Sequence, residues 1–265
     1  MPPEPGATRT PTILAMGGGG FTAGSADPAL DDLVLHLTGR PRPRLCLLPT
    51  AGGDSEHQIR RFYEAYRDRL CEPSHISLFR LGRQPVPLRE HLLAQDAVYV
   101  GGGSMLNLLA IWRAQGLDVI LREAWRSGVV LAGLSAGSMC WFEWGVTTSS
   151  GAPAPSAGLG FLPGSNSVHH DSEPTRRPVY LESVRSGALP PGYAVDDGAG
   201  LIFRHTQLEQ VVTARRSARA YEVTQSGERE LPAHRLTTEA QAHTTLPAVA
   251  ELRRLRLARS GAVRD

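Results

Sequence analysis

Apolar residues in this chain fall into short unbroken runs separated by stretches with helical spacing. ILAMGGGG is followed by PALDDLVLHLTG, RLCLLPTAGG by DSEHQIRRFYEAYRDRL, and DAVYVGGGS by MLNLLAIWRAQG, with HISLFRL as a further short run. Runs of this length bounded by glycine predict buried strands, and the segments between them predict amphipathic helices. Their alternation predicts a mainly parallel sheet with helices on both faces, a three-layer α/β/α sandwich.

GVVLAGLS continues the series as a buried strand, and AGSMCWFEW, directly after it, reads as a helix. Beyond Ser150 the style changes. GAPAPSAGLGFLPG reads as a Gly/Pro loop, SNSVHHD as a short strand or its exit, and EPTRRPVYLESVRSG as a loop running into a helix. AVDDGAGLIFR, LEQVVTA and ARAYEVTQSGERELPAHRL read as late strands, the last pair turning at Ser226-Gly227, and ELRRLRLARSG as a short basic helix or frayed tail. The expectation is a single domain over residues 1–265, with 1–10 as a loose arm and about 194–245 as a β-rich C-terminal part.

Composition narrows the function classes. The 28 basic and 26 acidic residues are interspersed and leave a net charge of +2, with no basic footprint for nucleic acid. Every basic residue is arginine, which excludes a lysine Schiff base, a Walker lysine and a Ser-Lys dyad. Cys46, Cys71 and Cys140 are far apart, without zinc-ligand spacing or a disulfide framework, so no metal or cofactor is expected. The start lacks a signal-peptide pattern and no run is long enough to span a membrane, which points to a cytoplasmic protein without membrane partners.

Gly133-Leu134-Ser135-Ala136-Gly137 has the G-x-S-x-G form between a predicted strand and a predicted helix. That form holds a serine in a strained turn while glycines let neighbouring chain pass close by. Ser135 is the candidate nucleophile, and the alternative is a small-residue turn without chemistry. Gly101-Gly102-Gly103-Ser104 opens another helix, and amides there could join that of Ala136 as an oxyanion hole. The run Gly17 to Gly20 could hold phosphate, a carboxylate or nothing. Among nine histidines, His169 and His170 stand at a strand exit with Asp171 next. Side chains two apart on an extended segment share a face, so Asp171 could orient His169.

VGGGSMLNLL, GLSAGSMCWFE and GLGFLPGSNSVHHDSEPTRRPVY together resemble the peptidase E family of serine peptidases, family S51, which includes aspartyl dipeptidases and, more distantly, cyanophycinase. The resemblance runs from about Pro11 to Thr213. It implies a fold similar to class I glutamine amidotransferases, a flavodoxin-like sandwich with C-terminal strands. It also implies Ser135 as nucleophile, His169 as base, and amides around Gly102, Gly103 and Ala136 as the oxyanion hole. The substrates implied are short peptides, cleaved by an Asp-X dipeptidase or a carboxypeptidase, and the assembly implied is a homo-oligomer, dimer or tetramer.

Two departures from the family pattern stand out. Where the dipeptidases carry their acidic triad member, this chain reads Thr147-Thr148-Ser149-Ser150. Asp171 is the replacement expected, because a His-x-acid order resembles the amidotransferases. Glu143 is second choice, roughly 10 Å along the expected helix at 1.5 Å per residue. The family's aspartate preference depends on an arginine after the histidine; Arg176 and Arg177 are available to hold a substrate carboxylate, although the intervening loop is shorter. A non-catalytic protein that holds a carboxylate or phosphate on the same fold is the competing reading.

Overall fold

The computed structural model describes residues 9–22 and 28–236. The segments expected as a basic tail and most of the N-terminal arm lie outside the described residues. The chain begins with strand β1 (Thr12–Met16), helix α1 (Ala29–Leu37), β2 (Arg44–Leu48), α2 (Glu56–Tyr66) and β3 (Glu72–His75). It returns through α3 (Leu88–Leu93), β4 (Ala97–Val100), α4 (Met105–Gln115), α5 (Leu117–Arg126) and β5 (Val130–Leu134). These five strands run parallel in the order β1-β5-β4-β2-β3, and β1, β4 and β5 are buried along their whole length. Burial on both faces explains why their sequences read as unbroken apolar runs.

Right-handed crossovers settle the layers. The connections through α1 and α2 move outward towards β3, and those through α3 and α4–α5 move back towards β1, which puts the two groups on opposite faces. Packing of α3 and α4 against α5 agrees with this division. The sheet is therefore flavodoxin-like, and its carboxyl edge, where the direction of winding reverses, is where such folds bind ligands.

The second half of the chain departs from the expected pattern in one respect: it builds a second sheet. After α6 (Ala136–Met139) come β6 (Phe142–Thr147), β7 (Ala154–Ala157), β8 (Leu162–Val168), α7 (Arg176–Arg185) and β9 (Gly192–Val195). Next are β10 (Ala199–Arg204), β11 (Gln207–Thr213), β12 (Ala220–Thr224), β13 (Gly227–Glu230) and β14 (His234–Arg235). Strands β10, β11 and β14 extend the main sheet beyond β1, with β10 antiparallel to it, while the others form a six-stranded sheet in the order β13-β12-β9-β8-β6-β7. The helix expected over AGSMCWFEW stops at Met139. Fully buried Trp141 and Phe142 carry the chain into β6, and the amides of Leu159, Phe161 and Leu162 donate to the carbonyls of Cys140 and Trp141. Long-range pairing overrides helical spacing there, and part of the expected Gly/Pro loop becomes β7. Similarly, HISLFRL contributes only the end of β3 before a 3₁₀ turn at Leu78–Arg80.

Candidate active site

Ser135 occupies the single residue between β5 and α6 with φ 55° and ψ −117°. Left-handed φ is costly for a residue with a Cβ, so the surroundings must enforce it. They do so through the flanking glycines. A Cβ on Gly133 would lie 1.9 Å from the Gly137 carbonyl oxygen, and one on Gly137 would lie 2.5 Å from that of Val100. The Ser135 amide is held by the Met16 carbonyl of the neighbouring strand at 3.2 Å.

His169 leaves the end of β8, also at positive φ, 56°. Its carbonyl accepts the amides of Ser172 and Glu173, which closes a tight turn around it. The ring reaches Ser135, with Nε2 to Oγ at 2.8 Å, and its Nδ1 lies 2.5 Å from Oδ1 of Asp197. A carboxylate only accepts, so Nδ1 carries the proton and Nε2 is left to accept the serine hydroxyl. The hydrogen bond from His169, reinforced by Ser172 Oγ donating to Oδ2 at 2.9 Å, holds the Asp197 carboxyl below the usual aspartate value. It stays ionised across the neutral range.

The residue beside the histidine is thus Asp197, and not Asp171 or Glu143. Parallel pairing of β8 with β9 ends with Val168 opposite Val195; His169 is the first residue beyond β8, and Asp197, the second beyond β9, is set beside it by its bridge to Gly18 after β1. Asp171 turns the other way: its Oδ1 accepts the Asp197 amide at 2.9 Å and its Oδ2 meets Arg215 at 3.1 Å. It braces the acid's backbone and makes no hydrogen bond to the imidazole. Glu143 lies on β6, where it accepts the Gly164 amide at 2.9 Å.

The glycine run Gly17–Gly20 has its explanation here. Gly18 bridges to Asp197, and a Cβ on it would stand 2.1 Å from Asp197 Oδ1 and 2.9 Å from His169 Cε1. A bare backbone is what lets the end of β1 lie against the acid and the ring. One sequence signal could have found Asp197: Asp196-Asp197-Gly198 interrupts an otherwise apolar run, and a pair of carboxylates between β9 and β10, the first of them buried, needs a reason.

Gly102 faces the nucleophile, since a Cβ there would be 3.2 Å from that of Ser135. Neither its amide nor that of Gly103 meets an acceptor among the described residues, while the amides on either side, of Gly101 and Ser104, donate to Leu48 and Ala51. Ala136 opens α6, so its amide is one of the free N–H groups of a helix start. Cys140 is no rival nucleophile: burial raises its thiol well above the usual range and keeps it protonated.

Neither arginine presents a free guanidinium. Arg176 is 3% exposed and donates to the Val168 carbonyl and Thr148 Oγ1, with Glu173 beside it. Arg177 pairs with Glu228 and lies over the Tyr221 ring. Arg176 holds the last carbonyl of β8, next to His169. The Thr147–Ser150 stretch likewise has structural partners in place of an acid: Thr148 accepts from Arg176, and Ser149 Oγ accepts the Met105 and Leu106 amides at the start of α4. Among the described residues no cluster of three or more His, Cys, Asp or Glu side chains is arranged to hold a metal ion, and no helix is long and apolar enough to cross a membrane.

Comparison with known proteins agrees with the fold. The chain is 49% identical over 211 residues to the uncharacterized peptidase YgaJ of Bacillus subtilis (strain 168), covering 80% of this chain and 91% of that protein. Its fold matches the crystal structure of a peptidase from an acI-B1 actinobacterium with a TM-score of 0.63 at 21% identity, over 85% of this chain and 96% of the other. It also matches a candidate peptidase E from Listeria monocytogenes EGD-e with a TM-score of 0.55 at 16% identity, over 78% and 100%. The profile of peptidase family S51 spans residues 13–211, and with that extent the chain belongs to peptidase family S51, a serine-type peptidase.

Proposed function

We propose that this protein is a serine exopeptidase that hydrolyses short peptides through an acyl-enzyme, with Ser135, His169 and Asp197 as its triad. The observation that carries the reading is the unbroken relay from Oγ through the imidazole to the carboxylate at 2.8 and 2.5 Å. In this mechanism His169 Nε2 takes the Ser135 proton as Oγ attacks the scissile carbonyl. Asp197 stabilises the resulting imidazolium, and the amides of Gly102, Gly103 and Ala136 hold the oxyanion. The imidazolium then protonates the leaving amine. A water activated by the same ring releases the acyl group.

The competing idea of a binding protein drew its weight from a missing acid. Asp197 removes that motive. The arginine contacts argue against Arg176 or Arg177 as ready carboxylate receptors, so the proposal does not rest on aspartate preference. Ser135→Ala is expected to lower kcat by several orders of magnitude and abolish stoichiometric labelling by a fluorophosphonate; a loss under about tenfold would overturn the mechanism. Comparing Asp-Leu with longer peptides blocked at either end reads which terminus is required. Cleavage of doubly blocked peptides would overturn the exopeptidase assignment.

A further inference from the structure

Gln58, on α2, touches neither the triad nor the nucleophile, yet its Nε2 donates to the Gly102 carbonyl at 3.2 Å. Its own Oε1 is buried with no hydrogen-bond partner. An unpartnered buried acceptor is destabilising, so the side chain is retained against a cost. The backbone around it supplies the reason.

A trans peptide is planar, with C=O and N–H pointing opposite ways. Fixing the Gly102 carbonyl towards Gln58 therefore fixes the Gly103 N–H away from it. Successive residues at the end of β4 face opposite sides: a Cβ on Gly101 would meet Gln58 Oε1 at 2.4 Å, and one on Gly102 would meet Ser135. The next residue is also clamped, because Ser104 N donates to Ala51 O at 2.8 Å and Ser104 Oγ caps α4 through the Asn107 amide. Gly103, at φ 141° and with a hypothetical Cβ 2.1 Å from Ala51 O, is bound into the same contact. One degree of freedom remains, the tilt of the Gly102–Gly103 peptide plane, and the amide of Gln58 sets it.

We infer that Gln58 is a positioning residue that aims the Gly103 N–H into the oxyanion hole. The inference rests on the serine mechanism proposed above and adds to it a residue outside the triad. It acts on the charge that develops at the carbonyl oxygen and leaves ground-state binding of the peptide unchanged.

The test compares wild type with Gln58→Leu and Gln58→Glu, measuring kcat, KM, inhibition by a peptidyl trifluoromethyl ketone and melting temperature. Gln58→Leu should lower kcat by about tenfold or more, below the full loss of an oxyanion donor, with KM within about twofold. Ketone affinity should weaken by the same factor as kcat. The melting temperature should stay near that of wild type, because one orphaned oxygen, Gln58 Oε1, is exchanged for another, the Gly102 carbonyl. Gln58→Glu sets a carboxylate against the Gly102 carbonyl and should be at least as damaging to kcat. Unchanged kcat in Gln58→Leu overturns the inference, as does a fall that tracks lost thermal stability while ketone affinity stays intact. If wild type is not labelled at Ser135 and Ser135→Ala remains active, both readings fall; if those controls behave as expected and only the Gln58 variants do not, this inference falls alone.

Discussion

At the scale of single residues, the site separates side chains that act on the imidazole from those that act on its neighbours. Asp197 holds the tautomer directly, so Asp197→Asn should reduce kcat/KM by about 10³–10⁴-fold. Asp171 acts through one hydrogen bond to the Asp197 amide, worth on the order of 1 kcal/mol, so Asp171→Ala should cost about fivefold. Kinetics of both variants on one peptide check the order, and the reverse order would return Asp171 to the triad. Ser135 was legible because the glycines that let its backbone take this turn, Gly133 and Gly137, lie within two residues of it. Asp197 was not legible in the same way. Nothing local distinguishes it from Asp196 or Asp171; its bridge to Gly18, just beyond β1, sets it against His169, and that is a long-range fact.

At the scale of elements, the carboxyl edge of the main sheet is tied by one buried acid. Asp31 on α1 is 2% exposed and accepts the Phe21 amide at 3.1 Å, the Tyr99 hydroxyl of β4 at 3.2 Å and the Tyr66 hydroxyl of α2 at 3.4 Å. Burial pushes its carboxyl up to about 7, against the nearby Arg69 charge and the Tyr99 and Phe21 hydrogen bonds, which pull it down. A folded value above the unfolded one means that the native state keeps a proton the unfolded chain releases above about pH 4. The group's contribution is full below that pH and is lost as pH rises to about 7. Asp31→Asn cannot titrate, so its melting temperature relative to wild type should climb between pH 4 and 8 and then level off. Scanning calorimetry across that range checks this, and a constant difference would refute it. The strands β1, β2, β4 and β5 were readable from their unbroken apolar runs. The short α6 was not, because Cys140–Phe142 keeps helical spacing while its partners in β8 draw it into a strand.

At the scale of the whole molecule, the late strands could be recognised individually, but not their division between two sheets. Alternation within a strand says which face is buried and nothing about which neighbour it pairs with, so β10 and β11 look no different from β9 and β12 until register is known. The two sheets share one core. Fully buried Trp141 lies between Trp112 of α4 at 5.9 Å and Phe161, just before β8, at 5.5 Å, joining a helical layer of the first sheet to the second. Trp141→Ala should cost about 3–5 kcal/mol, seen as a lower urea midpoint in a single transition for both secondary structure and activity. Two separate transitions would contradict a shared core.

The distribution of the triad along the chain also bears on synthesis. The base follows the nucleophile by 34 residues and the acid follows the base by 28 more, across strands that must pair before either side chain arrives. A growing polypeptide on the ribosome therefore carries a finished elbow while still unable to cut. On the proposed mechanism, full hydrolytic competence is expected only late in translation, when the segment carrying Asp197 has reached His169.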